Sequence, residues 1–268
     1  MAEGSPSSRR VVVYGLQRSG TTWIAHVIDH LDRARCTGEI FHEDPSWPDT
    51  YHALARRRFS PVRRALRPVR CHVDFLADAL APDPGLDIVG VKIMYSHLGW
   101  PSGPIGRITR RWPQLGPWLL MRSMRRWLID HEVTVIAVER RNVLKLRVSE
   151  LLAWQTRVFH STDGPRSTTS VWVDPTTIVK VLDRTSRRQQ AARRALAGCR
   201  IVDLVYEDSE AAKRQALSRA LGLEDLASLD SDLEKVTTDD LRHSISNYDE
   251  VATALTGTPF EWCLDPMI

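Results

Sequence analysis

No stretch of this 268-residue chain approaches the roughly 18 to 20 consecutive apolar residues that a membrane helix needs, and the opening residues, MAEGSPSSRR, contain no apolar signal-peptide core. A soluble, cytoplasmic protein without a membrane span is expected. Cysteine is scarce as well. Cys36, Cys71, Cys199 and Cys263 stand far apart and form no CxxC pair, which excludes a disulfide scaffold and a cysteine-bound zinc. Internal repeats, low-complexity tracts and convincing linkers are missing too, so residues 1–268 are expected to form a single domain, with residues 1–9 disordered.

Arginine, by contrast, is plentiful. The chain is formally +4, and arginines cluster at Arg56, Arg57, Arg58, Arg63, Arg64, Arg67 and Arg70 and again at Arg122, Arg125 and Arg126. Solvated helix faces account for such clusters, and so does attraction for an anion. A nucleic-acid module would interleave its basic residues with aromatics or carry a known motif; neither is present, and no nucleic-acid partner is expected.

Apolar, β-branched runs at Val11–Tyr14, Ile88–Ile93, Val133–Val138 and Ile201–Val205 read as buried strands. The first leads through a loop with two glycines into an amphipathic stretch, Thr21–Leu31. Further helices are expected over about Val143–Arg157, after Ser209 as N-cap with Glu210 in the first turn, and from Pro175 behind Asp174 as N-cap. Alternating buried strands and helices imply an α/β fold: a P-loop-like, three-layer α/β/α architecture with a mainly parallel central sheet. The stretches 41–49, 99–117 and 160–169 read as surface loops, the first two shaping an acceptor site.

In VVVYGLQRSGTTW, Gly15 and Gly20 are separated by four residues directly after a strand and before a helix, nearly a Walker A loop. Such a loop closes backbone N–H groups around phosphate oxygens, and the helix N-terminus adds partial positive charge. The lysine that would reach the β- and γ-phosphates is missing, since Thr21 stands in its place. The cation is Arg18, inside the loop, suited to a single 5′-phosphate bearing another leaving group.

QRSGTTW resembles the 5′-phosphosulfate loop of sulfotransferases that use 3′-phosphoadenosine 5′-phosphosulfate (PAPS). The resemblance implies that Arg18, Ser19, Gly20, Thr21, Thr22 and Trp23 hold the phosphosulfate, with Arg18 stabilising charge on the departing phosphate. After the strand VTVIAV, Arg141 and Ser149 are eight positions apart and resemble the family's 3′-phosphate motif; Arg140, Lys145 and Arg147 read as solvated. Tyr206, in LVYEDS, resembles a tyrosine near the adenine. The segment KVTTDDLRHSISNYDEVATAL resembles a tail of bacterial members, with Lys235 a cofactor contact. PAPS, yielding 3′-phosphoadenosine 5′-phosphate (PAP), is the implied cofactor, and no metal is implied.

In-line sulfuryl transfer to a hydroxyl needs a general base. Glu39, in TGEIFHED, resembles the Gly-Glu-x-Phe segment of bacterial and carbohydrate sulfotransferases, in some of which that glutamate is the base. It is expected to end a strand lying beside the first. His42 is an alternative, as is His97 in VKIMYSH, which departs in spacing from the Lys-Thr-His segment of the steroid and phenol enzymes; Lys92 belongs to the same stretch. These four residues form the expected acceptor side. The acceptor is expected to be a small-molecule, sugar or glycolipid hydroxyl. Trp47, Trp100, Trp112, Trp118 and Trp154 suit stacking on a ring and equally suit core or lid packing. The oligomeric state is open, with a homodimer as one option. Two other readings compete: a P-loop kinase for a small metabolite, which would want a Walker lysine and a strand-end carboxylate, and a nucleotide-binding module without catalysis.

Overall fold

The computed structural model describes residues 8–42, 48–95, 115–157, 170–224, 226 and 240–265. The apolar runs form strands: β1 (Arg9–Gly15), β2 (Ala34–Glu39), β3 (Ile88–Met94), β4 (Thr134–Glu139) and β5 (Arg200–Val205). They make one parallel sheet in the order β2-β3-β1-β4-β5. Burial follows position in that order. Every residue of β3 is buried, and so is β4 up to Glu139, whereas the edge strands β2 and β5 alternate buried with exposed residues. Continuous apolar runs mark strands covered on both faces, and interrupted runs mark edges.

One face carries α1 (Thr21–Asp29) and, late in the chain, α8 (Glu210–Leu221). Ile24 and Ile28 of α1 and Leu217 and Leu221 of α8 pack with Val11, Val13, Ile136 and Val138. The opposite face is covered by α2 (Tyr51–Arg58), α3 (Pro61–Leu66), α4 (Pro68–Ala79), α5 (Leu115–Asp130) and α7 (Ile178–Ala195). There Leu76, Leu120, Met124 and Ala192 meet Val12, Tyr14, Val91 and Val135. The architecture is three-layered α/β/α, as the alternation of strands and helices predicted. A further apolar cluster joins α6 (Val143–Thr156) and α7 to α9 (Leu241–Ser244), α10 (Tyr248–Leu255) and the 3-10 turn Glu261–Leu264. Among the described residues, no helix is long and apolar enough to cross a membrane.

Several local expectations are corrected. β1 starts at Arg9, and Ser8 is buried, its hydroxyl donating to the Asp83 carbonyl at 2.8 Å, so the expected disorder of 1–9 does not reach residues 8 and 9. Phe41 lies in the turn after β2 but not at the surface. It is 1% exposed and stacks with His72 inside the aromatic group of Tyr51 and Phe75. Residues 115–117, expected in a loop, belong to α5. Asp174 does not cap a helix at Pro175; its carboxylate instead accepts from the Thr176 and Thr177 hydroxyls in a turn, and α7 begins at Ile178. Residues 42, 48 and 49 lie outside helices and strands, as expected, and the rest of the three expected loops, 43–47, 99–114 and 160–169, lies outside the described residues.

The buried His72 makes stability pH-dependent. Its Nδ1 lies 2.8 Å from the Pro68 carbonyl, its ring stacks on Tyr51 at 3.8 Å, and burial lowers its pKa from 6.5 to about 4, outweighing the hydrogen bond to Pro68, which acts the other way. Between those values the unfolded chain takes up a proton that the folded protein refuses. Stability is therefore lost as pH falls from 6.5 towards 4. Between about pH 7 and 4.5 the wild type is expected to lose about 2 to 3 kcal/mol more than His72→Gln, read from urea midpoints. Parallel losses in the two proteins would show that His72 titrates like an exposed histidine.

Candidate functional site

The carboxyl ends of β1, β3 and β4 meet at the loop between β1 and α1, the place where an open parallel sheet binds ligands. Arg18 and Gly20 both adopt left-handed backbone angles, with φ of 63° and 96°. Ser19 closes the loop, its N–H and hydroxyl both donating to the Leu16 carbonyl at 3.3 and 2.7 Å. Gly20 caps α1 without a side-chain oxygen, leaving the N–H groups of the first turn facing the space before the helix.

Packing alone accounts for both loop glycines. A Cβ at Gly20 would stand 2.6 Å from the Tyr206 ring, and one at Gly15 would stand 2.6 Å from the Val138 carbonyl. The inference of an anion site therefore rests on the cations that converge here. The Arg18 Nε donates to the Ser149 hydroxyl at 3.0 Å, joining two motifs 131 residues apart in sequence. Burial holds the Arg18 pKa below its ordinary value, and the nearby Arg140 lowers it further, against opposing contributions from Tyr206 and Glu150. A non-glycine residue in the left-handed region costs about 1 to 2 kcal/mol, and here the cost holds a cation beside another cation. Such an arrangement suits an anion between them.

Arg140 is the residue that sequence reasoning missed. It is 6% exposed, and its guanidinium lies 4.9 Å from the centre of the Tyr206 ring and 3.9 Å from a Glu207 carboxylate oxygen. A signal was available. Ile136 and Val138 face α1, and the strand's period of two carries that row on to Arg140. The same period turns Arg141 away: its side chain is 58% exposed and lies 3.6 Å from Asp208. The reading of Arg140 and Lys145 as solvated is thus corrected, since both are buried. Glu207 accepts from the backbone N–H groups of Arg141 and Asn142 at 3.0 and 3.1 Å, so a side-chain carboxylate already occupies the start of α6. Lys213 is a second missed cation. Its ammonium lies 5.2 Å from the Trp23 ring and 5.7 Å from the Tyr206 ring, and it donates to the Tyr206 carbonyl at 3.2 Å.

Glu39 ends β2, but β2 is not beside β1. The expectation that its strand lies beside the first is corrected, because β3 pairs with β1 along its full length and takes the intervening place. Lys92 of β3 spans the gap, its ammonium 3.4 Å from the Glu39 carboxylate and 2.9 Å from the Thr22 hydroxyl. Both partners are buried, with 5% and 6% of their side chains exposed, and burial pulls the Lys92 pKa down to about 8. A slip in the β2–β3 register between Thr37 and Glu39 brings the carboxylate level with Lys92. Thr21 is turned the other way, its hydroxyl donating to the Met94 sulfur at 3.3 Å.

Arg18, Ser149, Tyr206, Gly20 and Trp23 are therefore brought together, with Arg140 and Lys213 added to them. Glu39 is linked to the same loop through Lys92 and Thr22. Arg141 is exposed, and half-buried His42 follows Glu39 in a turn, its N–H donating to the Glu39 carbonyl at 3.3 Å. His97 and Lys235 lie outside the described residues, as do Trp47, Trp100 and Trp112. Trp154 is 54% exposed, which removes it from the core. No protein-family model and no curated protein matches the chain.

Proposed function

We propose that the protein is a sulfotransferase that uses PAPS and delivers its sulfuryl group to a hydroxyl of a small-molecule, sugar or glycolipid acceptor. The observation that carries this reading is the 3.0 Å bond from Arg18 to Ser149, which unites the 5′-phosphosulfate-like loop with the 3′-phosphate-like motif. A kinase loop alone has no use for that second motif. PAPS supplies a sulfuryl group already activated by a phosphate leaving group. The chain's residues bind, orient and move one proton.

In this reading the N–H groups at the start of α1 and the Arg18 guanidinium hold the 5′ end, where negative charge grows as the sulfur–oxygen bond breaks. Ser149 and Arg140 face the 3′-phosphate, which Arg141 joins on releasing Asp208. The Tyr206 ring, held against Gly20 and flanked by Arg140 and Lys213, lines the adenine side. Glu39 takes the acceptor proton onto a carboxylate oxygen, beside the Lys92 ammonium 3.4 Å away. The transfer requires no metal.

A thermal-shift panel tests the assignment. PAP is expected to raise the melting temperature without magnesium, and ATP with magnesium to leave it unchanged. Stabilisation by ATP and magnesium but not by PAP would replace the transferase with a kinase.

A further inference from the structure

Positive charge is concentrated in two helical stretches of the chain. Residues 51–79 contain seven arginines and two aspartates, a formal +5, whereas the whole chain is +4. α7 (Ile178–Ala195), with five arginines, one lysine and one aspartate, is equally basic at a formal +5. Asp74 and Asp78 engage Arg58, Arg63 and Arg70. Arg57 and Arg67 are exposed, and neither pairs with a carboxylate among the described residues.

Between these arginines lies α3, begun by Pro61 behind the Ser60 cap. Its Val62 and Leu66 are 66% and 69% exposed, more than any other large hydrophobic side chain among the described residues. Four positions apart, they share one helix face. The hairpin is anchored elsewhere, by Phe59 and Cys71, both buried, on either side of α3, and by the Tyr51 N–H, which donates to the Ile40 carbonyl at 2.7 Å. A single exposed aliphatic residue is ordinary; an aliphatic pair at the tip of a strongly basic segment, with no counterpart among the exposed large hydrophobics on the equally basic α7, is a pattern.

We infer that α2 to α4 form a docking face for an anionic bilayer, with the exposed arginines on lipid phosphates and Val62 and Leu66 inserted at the acyl-chain boundary. The chemistry favours lipid over nucleic acid. The aromatics of this segment, Tyr51, Phe59 and Phe75, are each 4% exposed and present no ring for a base to stack on, and aliphatic tips add nothing to phosphate binding. Two aliphatic side chains are also too little apolar surface for the core of a specific protein interface. Binding by this face needs both contributions at once, so it is reversible and salt-sensitive.

The test is co-sedimentation of the full chain with vesicles of phosphatidylcholine, with or without about one-third phosphatidylglycerol. Partitioning is expected to be about tenfold or more higher on the anionic vesicles and to fall several-fold on raising salt to about 0.5 M. V62D combined with L66D is expected to lower it about tenfold, while R188E, an exposed arginine of α7, changes it less than about twofold. If the aspartate pair also lowers the melting temperature, R57E with R67E carries the same expectation on side chains outside the core. Equal partitioning on both vesicles, or an effect of R188E as large as that of the α3 pair, overturns the proposal. So does binding to a DNA duplex in place of vesicles, lost in R57E with R67E and kept in the aspartate pair. Vesicle binding needs neither nucleotide nor acceptor, so its failure leaves the transferase reading standing.

Discussion

Arg18→Ala is expected to lower turnover by about 10² to 10³-fold while leaving the fold intact and the melting temperature no lower than that of the wild type. The two halves of this expectation have one cause. Arg18 is held near Arg140 in a partly buried loop where both burial and its like-charged neighbour oppose its charge. Without an anion the guanidinium is a burden on the folded protein, and alanine relieves it. With charge developing on a departing phosphate, the same guanidinium becomes stabilising, and alanine forfeits that. Circular dichroism and a melting curve check the first half, and initial rates check the second. Normal turnover in the variant would place the reacting phosphate somewhere else. A large loss of melting temperature would make Arg18 a structural residue.

Glu39→Gln is expected to lower the turnover number by about 10²-fold or more while changing PAP affinity only a few-fold. Glutamine keeps the size of the side chain and still hydrogen-bonds an acceptor, but it takes up no proton. The Lys92 contact adds a consequence that the sequence did not suggest. The variant leaves a buried ammonium without its carboxylate, a change that costs several kcal/mol when the charge must persist. With the Lys92 pKa already near 8, losing the proton at pH 7 costs only about 1 to 2 kcal/mol. The variant should therefore fold. Adding Lys92→Met restores stability and not turnover, separating proton transfer from packing. Near-normal turnover in Glu39→Gln, with His42→Ala or His97→Ala inactive, would make that histidine the base.

The strands were legible because a parallel sheet buries both faces and leaves uninterrupted apolar runs such as IVGVKI; the phosphate loop was legible because a strand, a glycine pair and a helix follow one another locally. Sheet order was not. That β3 enters between β1 and β2 is a long-range pairing to which the 34–39 segment gives no clue, and so Glu39 was expected one strand too close. α2 to α4 were hidden in another way: their arginines dominate the composition, while the aromatics that bury them, Tyr51, Phe59 and Phe75, are spaced across three short helices and complete a cluster with Phe41, which follows directly on the strand end. Arg140 was not legible from the motif, which pairs Arg141 with Ser149 eight positions on, although the strand's alternation puts Arg140 inside and Arg141 outside.

Calorimetric titration with PAP and with AMP, each with and without magnesium, bears most directly on the proposed use of PAPS. The two ligands differ only in the 3′-phosphate, so the difference between them reads the site at Ser149 and Arg140 and nothing else. PAP is expected to bind with 1:1 stoichiometry, independently of magnesium and about tenfold or more tighter than AMP, the difference that one further charge-assisted contact makes. Equal affinity for PAP and AMP, or binding that requires magnesium, would contradict it.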